Sequence, residues 1–245
     1  MFDSKNIKYK TKAIENFYSS HRIKWDQFYP SEKAIFESLA INSDTRILDL
    51  GCGCGGLGLA LAERFCSESY TGVDISQAAI ASAKQMNPNA TFISGDILEL
   101  SDKELPNSAF DIVVSLSCVD WNIEFEKMLS LAWSYVRPGG SLIATFRLTN
   151  DFETEPKNSI TKSYQYINFD GKMDGEIAPY VVLNANNLFS RLLSFSPKSV
   201  TAHGYWGKPS KSAVTPYKKI CFSAFSIQKK LQNELHFDPN QFKFT

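Results

Sequence analysis

Residues 47–61 read ILDLGCGCGGLGLAL, and this segment constrains the chain more than any other. An apolar run carrying Asp49 leads into Gly51, Gly53, Gly55 and Gly56, and then into a helical pattern. Glycine has no Cβ and tolerates positive φ, so a ligand can lie against the bare backbone of such a turn. The helix that follows adds unpaired N–H groups and the positive end of its dipole. Strand, glycine turn and helix in this order predict a site for a nucleotide-type ligand.

Gly51, Gly53 and Gly56 also fit the G-x-G-x-x-G spacing of dinucleotide sites, with Asp74 near the position of a ribose-binding acid. Asp49 argues against a dinucleotide, because a carboxylate two residues before the first glycine would repel a pyrophosphate. The same carboxylate favours a ligand that carries positive charge, such as S-adenosylmethionine with its sulfonium and α-ammonium groups. The run Asp49-Leu50-Gly51-Cys52-Gly53-Cys54-Gly55 resembles motif I of the class I S-adenosylmethionine-dependent methyltransferases.

The resemblance continues in order over residues 45–146. It implies that Asp49, Gly51, Cys52 and Gly53 form the cofactor loop. Asp74 in TGVDIS would accept the ribose hydroxyls, and Ile75 would pack on the adenine. Asp96 in FISGDILEL would accept from the adenine amino group beside the backbone of Ile97. Ser115, closing FDIVVS, would lie under the methionine portion, and Pro138-Gly139-Gly140 would turn into a fifth strand. S-adenosylhomocysteine would be the product.

Alternating patterns support the same layout. Apolar runs at 46–50, 69–74, 91–94, 110–115 and 141–146 read as strands, with helices after the glycine loop, over 76–86 and over 123–135. Strands that alternate with helices predict an α/β fold with a mainly parallel sheet covered on both faces. Asp74, Asp96 and Ser115 then fall at carboxyl ends of strands, where open α/β sheets bind ligands. Lys198–Trp206 and Lys219–Lys229 read as two neighbouring strands able to pair antiparallel. The family resemblance makes this a Rossmann-like, seven-stranded, mostly parallel sheet ending in an antiparallel hairpin strand and preceded by an N-terminal helical cap.

The 245 residues, 43% hydrophobic, suit one α/β domain with its own core. Its expected parts are a cap (1–44), a cofactor-binding core (45–146), a substrate-side insertion (147–180) and a C-terminal helix and hairpin (181–245). Basic and acidic side chains balance at 26 each, so no global field draws the chain to nucleic acid or anionic lipid. No run has the length of a membrane span, and the N-terminus lacks the apolar core of a signal peptide. The five cysteines form no C-x-x-C pair, which suggests reduced thiols and no zinc site. A cytoplasmic protein, monomeric or homodimeric, with no metal and no nucleic-acid partner, is the expectation.

Outside the core, Phe17, Tyr18, His21, Trp25, Phe28 and Tyr29 recur at near-helical spacing within 13–38. They predict an amphipathic helix with its aromatic side packed on the sheet. In the small-molecule branch of the family the matching segment caps the site, which would bring Tyr18, His21 and Trp25 over the substrate. In the insertion, Tyr164 and Tyr166 alternate around Gln165, suggesting a short strand from which Gln165 or Tyr166 reaches a substrate. Asp120 in SLSCVDW is the preferred general base, and its other reading is a helix N-terminal acid. His21 and His203 are alternative bases. Trp121 offers an aromatic face to a sulfonium or ammonium.

The expected activity is methyl transfer to an oxygen or nitrogen of a small metabolite, in a biosynthetic pathway. The Ser115-Leu116-Ser117-Cys118 run stands where an Asn-Pro-Pro-Tyr signature would mark base or glutamine methylation. Alternatives are an RNA or protein methyltransferase directed by a partner, and a non-catalytic cofactor-binding module.

Overall fold

The structure, a computed structural model, describes residues 12–150, 163–167, 171–232 and 242–244. Its centre is a sheet of nine strands. Five are parallel and come first in the chain: β1 Ile47–Leu50, β2 Tyr70–Asp74, β3 Thr91–Ser94, β4 Phe110–Ser115 and β5 Val136–Thr149. Then come β9 Ser199–Gly207 and β11 Ile220–Gln228, paired antiparallel over their whole lengths, with β11 also antiparallel to β5. The order β3-β2-β1-β4-β5-β11-β9 is the expected seven-stranded body with its antiparallel hairpin strand. Two short strands extend it, β8 Val182–Asn184 beside β5 and β12 Phe242–Phe244 beside β9.

Strand alternation divides the apolar side chains between two faces. Leu48, Leu50, Val113, Leu142 and Phe225 join one buried cluster with Phe125, Met128, Leu129 and Ala132 of α5 (Phe125–Tyr135). Leu188 and Leu192 of α6 (Ala185–Ser194) complete that face. Ile47, Ile112, Val114 and Ile143 point the other way, onto α2 (Pro30–Glu37), α3 (Gly56–Phe65) and α4 (Gln77–Met86). Full burial of each Leu or Ile contributes roughly 1.5–3 kcal/mol, which is why a sheet with two apolar faces needs both layers. Side-chain caps start two of these helices: Ser76 Oγ accepts from Ala79 N, and Asn184 Oδ1 accepts from the N–H groups of Asn186 and Asn187.

Two expectations are corrected. Strand β5 is longer than 141–146, because Pro138-Gly139-Gly140 is a bulge within the strand, where its register against β4 shifts. The N-terminal segment is not one amphipathic helix but α1 (Ala13–Tyr18), a 3-10 turn at Trp25–Gln27, and α2. The first helix ends at Tyr18, the chain turns at Arg22 with a positive φ of 60°, and Pro30 stands in the first turn of α2. Glu32, buried in α2, holds the break together by accepting Arg22 Nη2 on both oxygens at 3.0 Å and the Tyr29 N–H at 3.0 Å.

The insertion contains β6 (Tyr164–Tyr166) and β7 (Ile177–Pro179), which form a separate three-stranded sheet with β10 (Ala213–Val214). Parts of the insertion, residues 151–162 and 168–170, lie outside the described residues. No described helix is long and apolar enough to cross a membrane.

Candidate active site

The carboxyl ends of β1, β2, β4 and β5 open into a cavity of about 870 Å³. The glycine turn forms one wall. Gly51, Gly53 and Gly55 have φ of +74°, +55° and +75°, and the N–H groups of Gly51 and Cys52 donate to Val73 O at 2.8 and 3.0 Å. A Cβ on Gly51 would stand 2.6 Å from Cys118 Sγ. Gly51→Ala should therefore lower stability by about 2–4 kcal/mol, adding positive-φ strain to an overpacking clash. A denaturant midpoint unchanged from wild type would contradict this placement of the turn.

Asp49 and Asp74 lie on the cavity wall and are only 4% and 8% exposed. Asp49 accepts from Tyr70 Oη at 2.5 Å, while Asp74 takes the Gly53 N–H on one oxygen and the Ser76 N–H on the other, both at 2.8 Å. Burial pushes the Asp49 carboxyl up to about 7, against the opposing effects of the Tyr70 bond and Arg22, and burial also raises Asp74. Two buried carboxylates that resist ionisation are stabilised by a bound cation. The donor set thus fits S-adenosylmethionine, which would place its positive charges near Asp49 and its ribose at Asp74. Cys52, Ile75 and Ile97 line the same wall. Asp96 is not among the lining residues, although its neighbours Gly95 and Ile97 are; its Oδ1 accepts from Leu98 N at 2.9 Å.

Ser115 is a correction. It is fully buried and absent from the cavity wall, because its Oγ accepts the Val119 N–H at 3.1 Å and so shapes the turn after β4. Leu116, Ser117 and Cys118 face the cavity instead.

That turn leads to the second wall. Pairing between β4 and β5 ends at Ser115 and Ala144, and β8 takes the same edge of β5 from Arg147 onward. The 3-10 turn Val119–Trp121 sits in this gap, so Asp120 does not begin an α-helix. Arg147 Nη1 donates to Asp120 O at 2.9 Å and pairs with Asp120 Oδ2 at 3.1 Å. Both side chains are nearly inaccessible and both line the cavity. Burial pushes the Asp120 carboxyl up to about 6, with Arg147 pulling it down and Glu32 raising it slightly. The Arg147 guanidinium lies 4.7 Å from the Trp121 ring centroid and 4.0 Å from that of Tyr180. The cationic partner of the Trp121 face is therefore an arginine of the chain. Sequence reasoning missed Arg147, and its signal was a lone charge inside the apolar run LIATFRL, since charges are seldom buried unless paired.

The N-terminal segment reaches the cavity only in part. Tyr18 packs over Gly53, with its Cβ and Cγ 3.7 Å from where a Gly53 Cβ would be. His21 lies on the exposed rim, stacked on Phe17 at 4.1 Å with Nδ1 2.9 Å from Phe17 O. Trp25 is a correction: it lies outside the cavity lining and packs on Phe28, Phe36 and Phe65. Gln165 faces the cavity from β6, whereas Tyr166 is on the other side of that strand beside Tyr164 and does not line it. His203, in β9, is not among the lining residues either.

Comparison with known proteins agrees with this geometry. Residues 47–140 match a family described as a methyltransferase domain. Over 124 residues the chain is 36% identical to trans-aconitate 2-methyltransferase of Deinococcus radiodurans, covering 45% of this chain and 46% of that protein. It is 30% identical over 115 residues to malonyl-[acyl-carrier protein] O-methyltransferase of a Paenibacillus species, covering 45% and 41%. The chain thus spans less than half the length of these curated relatives. In fold it is similar to phosphoethanolamine N-methyltransferase 2 of Haemonchus contortus, solved in complex with S-adenosyl-L-methionine, with a TM-score of 0.62 at 14% identity over 90% of this chain and 58% of that one. Strand, glycine turn and the acids at the sheet's carboxyl edge thus fall in order within the stretch that matches a methyltransferase domain, and the sheet around them has the Rossmann-like fold of S-adenosylmethionine-dependent methyltransferases.

Proposed function

We propose that the protein transfers the methyl group of S-adenosylmethionine to an oxygen or nitrogen of a small-molecule acceptor. The observation that carries this reading is the continuity of the cavity from Asp49 and Asp74 to Asp120, Trp121 and Arg147. Bound S-adenosylmethionine would supply an electrophilic methyl on a sulfonium. The chain's own work would be to align an acceptor and exclude water, which can supply much of the acceleration in a displacement of this kind. Asp120, held by Arg147, would take a proton from the acceptor. Tyr18 and Gln165 would narrow the space around it.

A relative named as an O-methyltransferase supports oxygen as the acceptor atom. The balanced charge of the chain supports a small molecule over nucleic acid. The test is incubation of the purified full chain with methyl-labelled S-adenosylmethionine and a panel of small hydroxy, amino and carboxylic compounds. The expected result is release of S-adenosylhomocysteine with label on a small molecule. Label on RNA or protein alone would contradict the proposal, and cofactor binding without any transfer would make the protein a binding module.

A further inference from the structure

We propose that the acceptor group is a hydroxyl, of an alcohol or phenol, recognised by two adjacent side chains, Asp120 and Trp121. This rests on the methyl-transfer reading above. Both residues belong to the one 3-10 turn and both line the cavity. Asp120 Oδ2 is held by Arg147, but Oδ1 is buried and has no hydrogen-bond partner among the described residues. Trp121 Nε1 is likewise buried without a partner among them. Buried polar atoms are nearly always hydrogen-bonded, so two orphans on consecutive residues of one turn that lines the cavity point to a ligand that satisfies both.

The chemistry of the two atoms selects that ligand. An ionised carboxylate oxygen only accepts, and an indole N–H only donates. A group that serves both must give one hydrogen and take another, and still present a lone pair to the methyl carbon. A hydroxyl does all three: its proton goes to Asp120 Oδ1, one lone pair accepts from Trp121 Nε1–H, and the other is free. A neutral amine has a single lone pair, and spending it on Trp121 leaves none for attack. An ammonium has none at all. A carboxylate has no hydrogen for Asp120 Oδ1 and sets a second negative charge beside the first.

Arg147 makes the pair rigid, since it holds the Asp120 carboxylate and main chain while packing over the Trp121 and Tyr180 rings. As the hydroxyl loses its proton to Asp120, the negative charge that develops on oxygen meets a donor already in place at Trp121. Overall, an alcohol and S-adenosylmethionine would give a methyl ether, S-adenosylhomocysteine and one proton, which Asp120 passes to water.

The test uses the full chain, labelled with nitrogen-15 and saturated with S-adenosylhomocysteine, and follows the indole N–H signals of its 4 tryptophans. Trp121→Phe assigns the relevant signal. Phenol, benzoate and benzylamine are the probes. Phenol should move the Trp121 indole proton downfield, benzoate and benzylamine should not, and Trp121→Phe should weaken phenol binding about tenfold, the size of one hydrogen bond. S-adenosylhomocysteine affinity, measured by calorimetry, should be the same in the variant. A phenol titration without that shift, or a larger shift with benzoate, would overturn the hydroxyl assignment while leaving methyl transfer standing. Failure to bind S-adenosylhomocysteine at all would instead overturn the functional reading beneath it.

Discussion

Replacing Arg147 with methionine should destabilise the protein by about 3–5 kcal/mol near pH 8, because it strands the buried Asp120 carboxylate without its cation. For a domain whose whole stability is about 5–15 kcal/mol, such a loss is large. The cost should depend on pH. Folding raises the Asp120 pKa from 3.8 to about 6, so the protonated acid is the form the folded state prefers. The stabilisation this provides is complete below about 3.8 and is lost as pH rises through about 6. Without Arg147 the carboxyl would move higher still. Near pH 5 it would simply remain protonated, and only the hydrogen bond to Asp120 O and the packing against Trp121 and Tyr180 would be lost. Urea unfolding of both proteins at the two pH values checks this: an equal cost at each would mean that the ion pair with the Asp120 carboxylate contributes nothing.

Asp120→Asn should lower turnover by about 10²–10⁴-fold, the usual contribution of a positioned general base, with cofactor affinity nearly unchanged. Wild-type activity should rise with pH through about 6 as Asp120 ionises. Arg147 and Glu32 are the charged groups that act on that ionisation, the first lowering and the second raising its pKa. The acid limb of the profile should be absent from the variant, whose amide does not titrate. Rate profiles with S-adenosylhomocysteine release as the readout decide the matter. Undiminished turnover, or the same acid limb in the variant, would remove Asp120 from the role of base.

The sheet was legible because its signal is repeated. Ile47, Ile112 and Ile143 face one way and Leu48, Val113 and Leu142 the other, an alternation plain in the letters alone. Asp49, Asp74 and the glycines were readable for another reason, since few residues suit a turn that needs positive φ beside a carboxylate. The N-terminal cap was misread because aromatic spacing records which side chains are apolar and says nothing of an interruption. The first helix ends at Tyr18, and the chain then turns at Arg22, which has a positive φ and pairs with Glu32 ten residues on. Trp25 shares the pattern of Tyr18 and Phe28, yet after that turn it faces Phe36 and Phe65.

Ser115 fails at the same level of detail. Its place at a strand end was correct, but the side chain serves the following turn and never reaches the cavity. Arg147 shows the opposite error, since one buried charge in an apolar strand was visible and its partner was not. Asp120 stands 27 residues earlier, and only the exchange of β4 for β8 along β5 brings the two together.

The claim on which the rest depends is that the glycine turn and the acids beside it hold S-adenosylmethionine, and titration calorimetry tests it most directly. Saturable binding at one site per chain is expected, weakened at least tenfold by Asp74→Ala through loss of a charged hydrogen-bond acceptor. Absence of binding by the wild-type protein, or an Asp74→Ala isotherm that overlays it, would contradict a cofactor site at this turn.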